Sequence, residues 1–319
     1  MLSEMAESDM GNTHKRRGIT MESVTLTARD GYELSLSVFP VESAKGYVQL
    51  IHGMEEHKER YDDFARKLNE AGYAVISSDM RGHGTNAPML GFFKEKDGYQ
   101  YLLSDQEQIT EYIKSRFGVD KVIIFSHSMG TIITRNLLRT HSDRYEKVIL
   151  SGFPYNPGSV TTGVVIFLCS VIGALRGQTY YSKLVQSVAI GGFNKTIQNP
   201  KTELDWLSYN EENIQTYMAD NYCGHGFKVS AFRDLFRLVR GMSSPKNYTA
   251  VNADLPLLLI RGEDDPSTGF HKGAADSIRV LKEAGFQNLR TNVYTHMRHE
   301  LLNEDGRDQV IADIVAFLG

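Results

Sequence analysis

Cysteine is scarce in this chain: Cys169 and Cys223 are the only two among 319 residues. Two thiols cannot build a disulfide framework or a cysteine-rich metal cluster, so a reducing, cytoplasmic setting is the expectation. An excess of one charge is equally missing. The net charge of −4 leaves no basic footprint for nucleic acid. No apolar run reaches the ~20 residues that a bilayer-spanning helix needs. The longest, residues 164–175, is interrupted by Ser170 and Gly173. It suits a buried core helix, a lid helix or an interfacial segment. Residues 1–20 hold no apolar stretch of the signal-peptide kind and read as a flexible tail, the basic patch His14-Lys15-Arg16-Arg17 included. Internal repeats and low-complexity tracts are absent.

Apolar residues are not scarce. They make up 41% of the chain, enough for the large core of an α/β domain. Short apolar runs alternate with helical periodicity, the pattern of a mostly parallel sheet wound with helices. Residues 23–28 and 33–39 predict a hairpin about the turn pair Asp30-Gly31. Strands are predicted over 46–51, 73–78, 122–125 and 147–151, and helices over 60–71, 101–117 and 131–138. After Pro154 the alternation stops, and residues to about 248 are helical, aromatic-rich and punctuated by glycine. It returns with strands over 255–260 and 288–294 and helices over 272–284 and 308–318. The simplest organisation is one core, residues 21–153 and 249–319, interrupted after its sixth strand by a helical cap, residues 154–248. Ligands of open α/β sheets bind outside the carboxyl ends of strands, so a cap leaving from such an end covers the site.

The run Ser126-His127-Ser128-Met129-Gly130 joins a buried strand directly to a helix. A serine at that junction has the form of the nucleophile elbow of α/β-hydrolases, in which a sharp turn lifts the hydroxyl above the sheet. Strand and helix nearly touch there, so the residues two positions to either side must be small. Gly130 meets the rule. Ser126 stands where glycine is usual and is expected to fit with modest strain. Taken alone, the pentapeptide is equally a buried strand followed by a polar turn.

A serine nucleophile needs a base, and the base needs a carboxylate to hold its tautomer, in the chain order Ser, Asp or Glu, His. His299 follows the last predicted strand. Glu263, Asp264 and Asp265 follow the one before, and any of the three could reach a histidine. Asp265 is taken as the partner, with Glu263 and Asp264 as solvated loop charges. His296 reads as a loop residue. Negative charge developing on an ester carbonyl needs backbone donors. Met129, after the serine, and Met54, after His52-Gly53, occupy the two positions. A strand-ending turn would account for His52-Gly53 equally well. No HExxH or comparable ligand set occurs, so no metal and no cofactor are expected.

Four ordered segments carry a resemblance. His52-Gly53-Met54-Glu55-Glu56-His57-Lys58-Glu59-Arg60-Tyr61 resembles the HGxxEHxxRY segment of the monoglyceride lipase and lysophospholipase-like branch of α/β-hydrolases. Asp79-Met80-Arg81-Gly82-His83-Gly84 resembles that branch's D-x-x-G-H-G turn. Gly262-Glu263-Asp264-Asp265-Pro266 and Arg298-His299-Glu300-Leu301-Leu302-Asn303-Glu304 resemble its acid and base segments. The stretches from Thr202 to Ser208 and from Asp220 to Phe227 are similar to the cap of bacterial members. The resemblance implies Ser128 as nucleophile, Asp265 as acid, His299 as base, and Met54 and Met129 as oxyanion donors. It gives Glu56, His57, Arg60 and Tyr61 a structural role behind the oxyanion loop, and Arg81 and His83 a second loop to tie down. Ser126 and Thr131 depart from two glycines usual in the family.

Gly53, His127, Phe153 and Trp206 are the expected substrate contacts. The apolar cap residues Val164, Val165, Ile166, Phe167, Leu168, Val171, Ile172 and Leu175 would suit an acyl chain, although packing onto the core is the expected role of most. The leading expectation is a serine carboxylester hydrolase for acylglycerol or lysophospholipid-type esters, with a transient membrane-surface contact through the cap. One alternative is a proline-type aminopeptidase, with Glu203, Asp205, Glu211 or Glu212 anchoring the substrate amine. The other is a non-catalytic ligand-binding protein on a hydrolase scaffold.

Overall fold

The computed structural model describes residues 13–16 and 19–319, with side chains from residue 21 onward. Nine strands among these residues form one sheet: β1 (Thr13–Arg16), β2 (Ile19–Thr27), β3 (Glu33–Phe39), β4 (Gly46–Ile51), β5 (Tyr73–Ser78), β6 (Val122–His127), β7 (Tyr145–Ser151), β8 (Leu257–Gly262) and β9 (Leu289–Tyr294). Their spatial order is β1-β2-β3-β5-β4-β6-β7-β8-β9. β1 to β3 run antiparallel to their neighbours, and all pairs from β5 to β9 are parallel. The expected fold class is therefore observed. The expected tail is not uniform: residues 1–12, 17 and 18 lie outside the described residues, while Thr13–Arg16 pair with the start of β2. With β1 counted, the cap follows the seventh strand.

The interior strands β5, β6 and β8 are buried along their whole length, which is why they read as continuous apolar runs rather than alternating ones. Helices α1 (Asp62–Glu70) and α9 (Arg307–Leu318) bury Phe64, Leu68, Val310, Ile314 and Phe317 against one face. Helices α2 (Gly98–Phe117), α3 (Met129–His141) and α8 (Phe270–Ala284) bury Leu102, Ile109, Ile133, Leu137 and Leu281 against the other.

Between β7 and β8 the chain forms α4 (Ser159–Arg176), α5 (Lys183–Ala189), α6 (Glu211–Ala219) and α7 (Val229–Met242), with no strand among the described residues. These helices are unequal. Val229, Phe232, Leu235, Phe236, Val239 and Met242 of α7 are buried in the same cluster as α3, so α7 is cap by sequence but core by packing. In contrast, α4 buries only Thr162, Val165, Cys169 and Gly173. Val164, Phe167, Val171 and Leu175, expected mostly to pack inward, face outward instead. A helix apolar on every side does not reveal which side meets protein.

Candidate active site

β4 lies between β5 and β6, so the winding reverses there, and the carboxyl ends of β4, β6, β7, β8 and β9 form one rim. Ser128 sits on that rim with φ 50° and ψ −119°. This is a strained conformation for a residue with a Cβ, held by the flanking strand and helix. Its N–H donates to the Ser151 carbonyl of β7 at 2.9 Å, pinning the turn to the neighbouring strand. A Cβ on Gly130 would lie 2.3 Å from the Ile51 carbonyl oxygen and 2.7 Å from that of His52. Ser126 needs no positive φ. It is a buried β6 residue whose hydroxyl donates to the Ile149 carbonyl at 3.3 Å, which accounts for a serine at that position.

Asp265 and His299, 34 residues apart, converge on the same rim. Nδ1 of His299 lies 2.9 Å from Asp265 Oδ2, and both side chains are buried. Of the three acids, Glu263 is exposed, and Asp264 accepts from the Tyr209 hydroxyl at 2.9 Å. Burial alone would lower the His299 pKa. The Asp265 carboxylate outweighs it and raises the pKa above 6.5. Burial likewise opposes ionisation of Asp265, but His299 and both donors of Ser267 hold the carboxyl below its ordinary value. With Nδ1 engaged, Nε2 is the nitrogen left for an incoming proton.

Ring contacts tie the site together. The rings of His127, the last residue of β6, and of Trp206 in the cap have their centres 4.6 and 5.0 Å from that of His299. Gly152, at the end of β7, runs so close that a Cβ there would stand 3.0 Å from His299 Nδ1. Burial, with His299 alongside, lowers the His127 pKa to about 4 and keeps that ring neutral. Gly53 backs onto the nucleophile, since a Cβ there would lie 3.1 Å from Ser128 Cβ. Phe153, expected at the substrate, is 2% exposed and belongs to the buried core cluster, as Met129 does.

The loop after β4 is held rigidly. His52 is neutral, its pKa lowered to about 4 by burial. One ring nitrogen lies 2.7 Å from the Gly53 carbonyl, and the other accepts from Met80 N–H at 3.0 Å. Glu56 accepts from Gly53 N–H and from the Tyr61 hydroxyl. Arg60 pairs with Glu56 and forks onto both oxygens of Glu300, at 2.8 and 2.7 Å, and reaches Asn213 of α6 at 3.1 Å. His83 Nε2 accepts from Glu55 N–H, and Arg81 forks between Asp105 and Asp30. Among the described residues, neither Met54 N–H nor Met129 N–H has a backbone acceptor, and Met129 opens α3, whose first-turn donors point off the helix end.

Two anchoring roles were not assigned from the sequence. Glu304 accepts from Ser208 Oγ at 2.8 Å and from Arg298 N–H at 2.8 Å, clamping the His299 loop to the cap turn that carries Trp206. Ser267 reaches Nδ1 of His299. An acid five residues after the histidine and a hydroxyl two residues after the aspartate are the only signals, and neither is distinctive. One group could hold a metal: His57, Asp220 and Cys223 have ligand atoms within 4.8 Å of one another. His57, however, engages both ring nitrogens with Glu59 and Asp220, at 2.6 and 2.8 Å. Burial disfavours its charge, but Cys223 and the two carboxylates raise its pKa to about 11, which favours the protonated ring held between Glu59 and Asp220.

The chain is similar in sequence and fold to known lipases and esterases. A monoacylglycerol lipase of Mycolicibacterium smegmatis is 25% identical over 287 residues, covering 88% of this chain and 90% of that protein. A thermostable carboxyl esterase from Bacillus coagulans, solved with glycerol, superposes with a TM-score of 0.86 at 23% identity, over 93% of this chain and 97% of the esterase. The Paleococcus ferrophilus monoacylglycerol lipase superposes with a TM-score of 0.70 at 21% identity, over 90% and 98%. The model of the family "Serine aminopeptidase, S33" matches residues 42–306, and the chain belongs to that family, as a serine hydrolase of the monoacylglycerol lipase-like branch of the α/β-hydrolases.

Proposed function

We propose that the protein hydrolyses carboxylic esters of the acylglycerol or lysophospholipid type through an acyl-enzyme on Ser128. One observation carries the reading: the buried Asp265–His299 pair engages Nδ1 and leaves Nε2 as the nitrogen that can take a proton. In the reaction, Ser128 Oγ attacks the ester carbonyl carbon while Nε2 of His299 takes its proton. The tetrahedral oxyanion is stabilised by the N–H groups of Met54 and Met129, preorganised donors of the kind worth ~3 kcal/mol each in the transition state. Imidazolium then protonates the leaving alkoxide. Water, deprotonated by the same nitrogen, attacks the acyl-serine and releases the carboxylic acid. No step requires a metal or an organic cofactor.

The substrate class rests on the names of the relatives and on the cap. Val160, Phe167 and Leu175 are 78, 66 and 78% exposed along one side of α4, with Val164 and Val171 between them. No Asp or Glu occurs from Tyr155 to Thr202, whereas Arg176, Lys183, Lys195 and Lys201 do. An apolar stripe in basic surroundings suits an anionic lipid surface. The aminopeptidase alternative needs a free acid in the cap. Asp205 instead accepts from Lys201 and Thr202, Glu211 pairs with Lys201, and Glu203 and Glu212 are exposed.

The test is fluorophosphonate labelling read by intact mass, alongside hydrolysis of a p-nitrophenyl ester panel and a proline anilide. We expect a single adduct that vanishes in Ser128→Ala, at least ~10³-fold loss of esterase activity in that variant, and preference for medium or long acyl chains. An unlabelled wild type would favour the scaffold alternative, and a faster anilide the peptidase.

A further inference from the structure

Asp265 is not the sole partner of the histidine's inner nitrogen. Ser267 Oγ lies 2.8 Å from Nδ1 of His299, while Asp265 Oδ2 lies 2.9 Å from the same atom. Nδ1 carries one hydrogen, so the two acceptors share it. Ser267 is also bound to the acid, its N–H donating to Asp265 Oδ1 at 2.8 Å. All three side chains are buried, with Ser267 2% exposed, so water does not compete for these bonds. The placement follows from local chain geometry. Asp265 caps the short turn Pro266–Thr268, which returns the hydroxyl of the second residue beyond it towards the acid. The Ser267 carbonyl accepts Tyr155 N–H at 3.0 Å, so the start of the cap holds the turn in place.

We propose that Ser267 is a positioning residue of the catalytic apparatus, a fourth member beside Ser128, His299 and Asp265, whose hydroxyl orients the imidazole and tempers the basicity of the acid. The proposal rests on the assignment of those three residues made above. The hydroxyl oxygen accepts part of the Nδ1 hydrogen, and the hydroxyl, held beside the acid by the Ser267 N–H bond to it, helps keep the Asp265 carboxyl below its ordinary value. That carboxylate is thereby stabilised as an anion and becomes a weaker base towards His299. The other titratable groups facing His299 are Glu300 beside it, Glu56 of the oxyanion loop, and His127 of β6. Arg60 pairs with both Glu56 and Glu300, so one net negative charge stays there whatever residue stands at 267, and His127 is uncharged. The Asp265–Ser267 couple is therefore the part of this balance that a substitution at 267 changes.

The experiment compares wild type with Ser267→Ala, Ser267→Cys and Ser267→Thr, using a soluble p-nitrophenyl ester and normalising each to its fluorophosphonate-titratable sites. Loss of the hydroxyl leaves Asp265 more basic and His299 easier to protonate. The acid limb of kcat/KM in Ser267→Ala should move up by about one pH unit, the lower end of what one hydrogen bond to a charged partner is worth. Its kcat should fall ~10-fold, the low end of the loss seen when a partner that orients a metal-bound histidine is removed, with KM within about twofold. The low-field Nδ1 proton resonance should shift in Ser267→Ala. Ser267→Thr, which restores the hydroxyl, should return the limb towards wild type, and Ser267→Cys, a poorer partner of similar size, should fall between. A limb and resonance unchanged in the alanine or the cysteine variant would reduce Ser267 to a turn residue and overturn the proposal. Failure of wild type itself to label would instead remove the triad assignment.

Discussion

A Cβ at position 130 would have to fit 2.3 Å from one carbonyl oxygen and 2.7 Å from the next, both on the chain leading into the oxyanion loop. Neither backbone oxygen can swing aside as a side chain would. Gly130→Ala should therefore push α3 away from the end of β4, at about 1–3 kcal/mol of stability. Its kcat should fall more than its KM changes, because Ser128 and Met54 separate. Urea unfolding together with steady-state kinetics would check both, and unchanged kcat would refute the close approach. A second residue-scale expectation concerns His299. As a base it must be neutral, and its pKa lies above 6.5 because Asp265 outweighs burial. Activity is therefore lost as pH falls through a value higher than that of an ordinary histidine. A kcat/KM profile with its acid midpoint below 6.5 would contradict the sign.

At the level of elements, the strands expected over 33–39, 46–51 and 73–78 are β3, β4 and β5 without a residue's difference. Their boundaries are legible because apolar runs end abruptly at glycine or polar turns. Helix α4 is the opposite case. Its sequence is apolar on every side, so periodicity cannot separate the side against α7 from the side towards solvent. Packing alone turns Val165 and Cys169 inward and Phe167 outward. Replacing Val160, Phe167 and Leu175 together by glutamine should leave soluble-ester turnover and thermal stability nearly unchanged, since exposed positions typically contribute within about 0.5 kcal/mol each. Sedimentation with phosphatidylglycerol-containing vesicles should fall ~10-fold or more, as the apolar area available for lipid contact is lost. Equal sedimentation would remove the membrane-contact reading.

Across the whole molecule, Arg60 joins three regions distant in the chain: the oxyanion loop through Glu56, the base segment through Glu300, and the cap through Asn213. Arg60→Met would leave two carboxylates buried without their counter-charge. The expected loss is about 3–5 kcal/mol, measurable as a lower urea midpoint. Arg60→Lys should recover only part of it, because a single ammonium cannot fork onto Glu300. A midpoint unchanged in the methionine variant would show that the network adds nothing to stability.

Local composition was enough to indicate the sheet, the interruption after Pro154, and the Ser128, Asp265 and His299 segments. Each rests on short-range rules: strand periodicity, a small residue at a tight turn, and chain order of reacting groups. The depth of α7 in the core, the outward stripe of α4, the burial of Phe153, and the contacts of Ser267 and Glu304 required the assembled molecule. These depend on which surfaces meet across residues far apart in the chain, and no local pattern encodes that meeting.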